Sequence, residues 1–155
     1  MKIILSMLVA SILCLSCTSE EKKAEDLAVQ SAKEDFQKDL REEMAKSITG
    51  KAKVQFTAVD ILTQKTEFEI TKRTLTENQG DFDVQAKTVP NKVRGALFEI
   101  ISRLDEKKER SFNVPDALKL IWANLGLATD ETSTLFYKIK LKKTAGEWRK
   151  IDTPK

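Results

Sequence analysis

The residue best placed for chemistry is Cys17, which closes an apolar run from Ile3 to Ser16 and is followed by Thr-Ser-Glu-Glu-Lys-Lys. Its thiolate can be alkylated by a diacylglycerol group, and Ser16 is the small residue that a signal peptidase needs before the bond it cuts. A second patterned group is the row Lys138, Lys140, Lys142 and Lys143, extended by Arg149 and Lys150 if two strands close into a hairpin. On one strand face such a row can contact anionic lipid headgroups or a polyanionic cell-wall polymer. It equally keeps an outer strand soluble and unpaired, with Glu67, Glu69 and Glu147 available to neutralise it. The chain has no His at all, so the usual general base near neutral pH and the commonest metal ligand are absent. No constellation of residues fixes a reaction, a metal or a cofactor.

The leader has the anatomy of an export signal. Met1-Lys2 is a short positive start, and Ile3 to Leu15 is apolar except for Ser6 and Ser11. The tetrapeptide Cys14-Leu15-Ser16-Cys17 resembles the bacterial lipoprotein box, with Cys14 where that family usually has Leu and Leu13 one residue further back. The resemblance implies cleavage after Ser16 and acyl chains on Cys17. A lipid-anchored domain would then face the periplasm or exterior from the cell membrane or outer membrane. Each buried CH₂ contributes about 0.8 kcal/mol, so several chains hold a domain lastingly. Ordinary secretion and an uncleaved anchor are the competing readings, and the run is short of the roughly 20 apolar residues that a span requires. Thr18 stands where some bacteria place an Asp to retain lipoproteins in the inner membrane, so delivery to either membrane remains open.

Removing residues 1–16 takes away Lys2 and no acid, so the formal charge of +3 falls to +2. Nucleic-acid binding does not follow from so balanced a chain. Cys14 leaves with the leader and Cys17 is committed to lipid, which excludes a disulfide inside the mature domain. Its core alone must stabilise it, and the length suits one domain, placed at 34–155.

The elements that position these groups follow from periodicity. Residues 17–33 are charged and only weakly apolar, which predicts a polar tether that holds the domain off the bilayer. Phe36, Leu40, Met44 and Ile48 recur every four residues and predict a helix over about 34–48, capped by Gly50. Val54, Phe56 and Ala58 alternate, predicting a first strand with a bulge near Ala58, where the phase breaks at Val59, Ile61 and Leu62. Two more strands follow, with Phe68 and Ile70 and then Phe82, Val84 and Ala86 inward, joined by the turn Asn78-Gln79-Gly80-Asp81. Pro90 ends that pair, and Asn91 caps a helix striped by Val93, Ala96, Leu97, Ile100, Ile101 and Leu104. Asp105 to Arg110 is a solvated loop. Pro115 opens a last helix with Ala117, Leu118, Ile121, Trp122 and Leu125 inward, and Gly126 ends it. Leu135, Tyr137, Ile139 and Leu141 alternate against Phe136 and the lysines in a fourth strand. The turn Thr144-Ala145-Gly146 leads to a fifth over 147–152.

The closing hairpin, Phe136-Tyr137-Lys138-Ile139-Lys140-Leu141-Lys142-Lys143 to Gly146-Glu147-Trp148-Arg149-Lys150-Ile151, resembles the C-terminal signature of nuclear transport factor 2-like domains. Small bacterial lipoproteins often carry them. The hairpin at Gly80-Asp81 with Val84 and Pro90 is similar too, and this chain adds two helices between Asn91 and Ala128. The likeness implies an α+β, cone-like fold (nuclear transport factor 2-like or cystatin-like), with a curved, mostly antiparallel sheet of about five strands over helices. Its concave pocket would be lined by Trp122, Tyr137, Phe56 and Phe68, or filled by them. Enzymes of that fold use a pocket Asp, His or Tyr, which nominates Asp60, Asp83 and Tyr137. Each has a simpler place: Asp60 at the bulge, Asp83 outward on its hairpin, Tyr137 in the core stripe. The expectation is a non-catalytic binding or scaffolding module with an envelope protein as partner; the alternative is a carrier of a small apolar ligand, and an enzyme comes third.

Overall fold

The computed structural model describes residues 2–47, 52–106, 113–126 and 131–151, with side chains over 20–46, 56–103, 113–126 and 131–151. The chain is α+β. Its order is α1 (Lys2–Ser47), α2 (Ala52–Gln64), β1 (Glu67–Leu75), β2 (Gln79–Thr88), α3 (Asn91–Glu106), α4 (Val114–Leu125), β3 (Ser133–Thr144) and β4 (Glu147–Lys150). The four strands form one open antiparallel sheet in the order β1-β2-β3-β4. Among the described residues no helix is long and apolar enough to cross a membrane.

Two compact units interleave along the chain. The first comprises residues 1–32, 70–84 and 138–155, the second 33–69 and 85–137. In the first, Ala24, Ala28 and Ala32 of α1, Phe82 and Val84 of β2, and Ile139 and Leu141 of β3 are buried. The core of the second draws Phe36, Leu40 and Met44 from α1, then residues of α2, α3 and α4, including Trp122.

The expected first strand is helix α2, which reduces five strands to four. Ala58, Val59 and Leu62 are buried while Phe56, Thr57 and Asp60 are exposed. Spacings of one and four belong to a helix face, so the broken phase attributed to a bulge is helical periodicity.

Residues 20–33, expected as a tether, continue α1 and bury a row at every fourth position from Ala24 to Met44. Such a row drifts by about 40° per step, which had argued against one continuous face. Each unit needs only three of the six positions, Ala24, Ala28 and Ala32 or Phe36, Leu40 and Met44, and three positions span about 80°. The expected cap Gly50, and Ile48, lie outside the described residues.

The remaining elements fall close to expectation. Thr76 N–H donates to Gln79 C=O (2.8 Å), closing the β1–β2 turn two residues earlier than predicted. Gly80 is buried on β2, where an added Cβ would lie 2.7 Å from the Phe82 ring. Asn91 does not cap α3. Val93 and Arg94 N–H groups donate to Pro90 C=O, and the Asn91 side chain accepts from Arg94. The Arg94 guanidinium, nearly buried, also donates to Val89 C=O (2.9 Å) and lies 3.5 Å from Glu43. Ile100 is exposed, and the Leu104 side chain lies outside the described residues. Asp105 and Glu106 belong to α3, not to a loop, and 107–112 lie outside the description. α4 has the expected Pro115 in its first turn and the expected Gly126 (φ 63°) at its end, which donates to Ala123 and Trp122 carbonyls, and its cap is Asn113, whose side chain accepts from Asp116 N–H.

Candidate functional site

Ser16 and Cys17 fall within α1, and side chains are described only from Glu20. Three residues beyond Cys17 begins a cleft of the first unit, about 450 Å³, lined by Glu20, Glu21, Leu75, Thr76, Glu77, Lys143 and Trp148. α1 supplies its two carboxylates, β1 and the turn after it supply Leu75 to Glu77, and the closing hairpin supplies Lys143 and Trp148. Ala145 (φ 54°) and Gly146 (φ 84°) form the two-residue turn, the conformation that matches strand twist. The resulting register sets Lys143 directly opposite Trp148.

Register explains why Lys143 does not belong to the lysine row. Side chains alternate faces along a strand, so Lys143 shares the face of Ile139 and Leu141 while Lys138, Lys140 and Lys142 project to the exposed face. Lys143 is 22% exposed, its ammonium lies 2.8 Å from Glu20 Oε2 and 5.8 Å from the centre of the Trp148 ring. Glu20 also receives Lys23 at 2.7 Å. The Lys143 ammonium, then Lys23, holds the Glu20 carboxyl down at about 2. Arg73 of β1 pairs with the adjacent Glu21 (2.7 Å) and, one turn further along α1, with Glu25. Glu20 Oε2 is thus answered by charge, whereas the buried Trp148 Nε1–H has no hydrogen-bond partner among the described residues.

Acidic residues stand opposite part of the exposed row. Lys143 N–H donates to Asn78 C=O (2.9 Å), and antiparallel pairing counted from that bond sets Asp81 opposite Lys140 and Asp83 opposite Lys138. Glu67 and Glu69 belong to β1, which is not a neighbour of β3, and Glu69 instead meets Lys87 at 3.8 Å. Arg149 pairs across from Lys142 on the exposed face and meets Glu147 at 3.2 Å, but Lys150 lies opposite Leu141 on the other face.

Of the residues nominated for a concave pocket, Trp122 is buried, Phe68 and Tyr137 are half-buried and Phe56 is exposed. Trp122 is in the second unit's core, and Phe68 and Tyr137 lie at its margin. Phe68 meets Phe36 edge-on at 5.8 Å, with Lys33 5.9 Å above it. Phe56 is 55% exposed on α2, with Arg41 5.9 Å from its ring centre. A smaller cleft of about 220 Å³ between α3 and α4 is lined by other residues, among them Ile100, Ile121 and Leu125. The catalytic candidates are likewise dispersed. Asp60 is exposed on α2 instead of at a strand bulge, and Asp83 is half-buried on β2 with its carbonyl accepting from the Thr71 hydroxyl (3.2 Å). Tyr137 OH donates to Asp39 (3.2 Å), and burial, followed by the Asp39 charge, pushes its phenol above the usual range. Among the described residues no three His, Cys, Asp or Glu side chains gather to hold a metal.

Sequence reasoning missed Glu20, Arg73 and Trp148 as a group. The available signal was the parity of Lys143 against Lys142, together with a Glu-Glu pair at 20–21 and Glu25 one turn later. No protein-family model, no curated protein and no solved structure matches the chain.

Proposed function

We propose that the protein is a lipid-anchored envelope lipoprotein, tethered through acyl chains on Cys17 and facing the periplasm or exterior, whose folded part is a non-catalytic binding or scaffolding module. The observation that carries this reading is the apolar run of residues 3–15 ending in Ser16-Cys17, followed at once by a charged, folded segment. The likeness to nuclear transport factor 2-like lipoproteins is part of it, supported by the closing hairpin of β3 and β4 and by the helix set before the first strand. Against an enzyme stand the exposed Asp60 and a Tyr137 phenol held by Asp39, which makes it a poor proton carrier near neutral pH.

A carrier of a small amphiphile is the second reading. The cleft with Leu75 and Trp148 on its wall favours it. Native against denaturing mass spectrometry of the chain from its own envelope separates the two. Extra mass under native conditions alone supports the carrier, and a clean mass with a co-purifying protein supports the scaffold. An unmodified Cys17 in the denatured spectrum would contradict both.

A further inference from the structure

We propose that the cleft of the first unit is that unit's membrane-facing end, with Trp148 and the turn residues Thr76 and Glu77 held in the headgroup layer of a phospholipid bilayer. This rests on the lipid-anchor reading and adds an orientation to it. Only Thr18 and Ser19 separate Cys17 from Glu20. Three residue steps reach at most about 11 Å fully extended, and about 4.5 Å in a helix. Acyl chains on Cys17 place its sulfur at the boundary between hydrocarbon and headgroups, and the headgroup layer beyond it is about 5–7 Å thick on each side of the bilayer. Residues 17–20 are helical, so the shorter reach applies and Glu20 lies in that layer or at its outer edge.

Glu20 does not swing free of the fold. Lys143 holds it at 2.8 Å, and Arg73 holds Glu21 and Glu25 one turn on. Whatever depth Glu20 occupies is consequently imposed on the cleft that it lines with Thr76, Glu77 and Trp148. A polar tether of seventeen residues would have erased this constraint; the packing of α1 from Ala24 onward restores it.

The chemistry of this end suits the headgroup layer. An indole is amphipathic and settles where one edge is apolar and the other wet. Trp148 is half-buried, its ring has the Lys143 ammonium on one face, and its Nε1–H has no partner among the described residues. Trp122, the only other tryptophan, is covered in the core of the second unit and serves as an internal reference.

The test uses the full chain processed by a lipoprotein-competent host and reconstituted in phosphatidylcholine vesicles carrying a headgroup spin-labelled lipid. Trp122→Phe leaves Trp148 as the reporter, and Trp148→Phe leaves Trp122. The expected result is an acylated Cys17 in the mass spectrum with several-fold stronger quenching of Trp148 than of Trp122. Amide exchange of the wild-type chain gives a readout that does not depend on either variant folding: the turns at 76–78 and 145–146 should slow on vesicles relative to the soluble Cys17→Ser chain. Acylated Cys17 with an unquenched Trp148 and unchanged turn exchange would overturn the orientation and leave the anchor standing. A Cys17 without acyl mass would overturn both.

Discussion

The Lys143 ammonium meets Glu20 Oε2 at 2.8 Å, so the end of β3 is tied to a helical residue three positions beyond Cys17. The pairing lowers the Glu20 carboxyl to about 2, below the ordinary carboxylate range. The sign follows from linkage: a depressed folded-state value gives stability that is present above the unfolded value and is lost as pH falls through the folded one. Thermal unfolding of wild type should therefore weaken between about pH 4.5 and 2 more than that of Glu20→Gln. The difference should shrink in high salt, since the pair is partly open to solvent.

Gly80 and Gly95 should respond to alanine with opposite signs. At Gly80 the new Cβ would sit 2.7 Å from a buried Phe82 ring, and relieving that overlap costs about 1–3 kcal/mol. At Gly95 of α3 nothing lies within 4 Å, so alanine should stabilise the helix by about 0.5–1 kcal/mol. Urea midpoints of the two variants measure both.

Tyr137 is the chain's only tyrosine, so its ionisation can be followed by difference absorbance. Burial and Asp39 raise its phenol, hence folding stability is full below the ordinary value near 10 and declines as pH rises from there toward the higher folded-state value. Asp39→Asn should bring the titration down, and Tyr137→Phe should remove part of the alkaline loss in a thermal melt.

The exposed lysines face Asp81 and Asp83 across the β2–β3 ladder, which predicts little long-range pull on anionic surfaces. Reversing Lys138 and Lys140 to Glu should leave binding of the unlipidated 18–155 chain to anionic liposomes unchanged. A large, salt-sensitive loss would show that the row is a lipid contact.

How far the sequence carried depends on the kind of signal. α3, α4 and the closing hairpin were legible because period and turn residues agree, as at Pro115 and Gly126 of α4. α2 was misread because Val54, Phe56 and Ala58 alternate by chance over a length too short to separate strand from helix. The buried row of α1 was lost to a geometric assumption, that one straight face must serve the whole helix, when two units each take half of it. The cleft depends on contacts between residues far apart in sequence. Lys143 to Glu20 and Arg73 to Glu25 have no local periodicity to announce them.

The central claim is settled most directly by the intact mass of the mature chain from its native envelope, with Cys17→Ser as the control. The account predicts a chain that begins at Cys17, carries acyl mass on that residue and follows the membrane fraction, while Cys17→Ser becomes soluble or stays unprocessed. A wild-type chain with a free Cys17 thiol, or one that begins elsewhere, would contradict it.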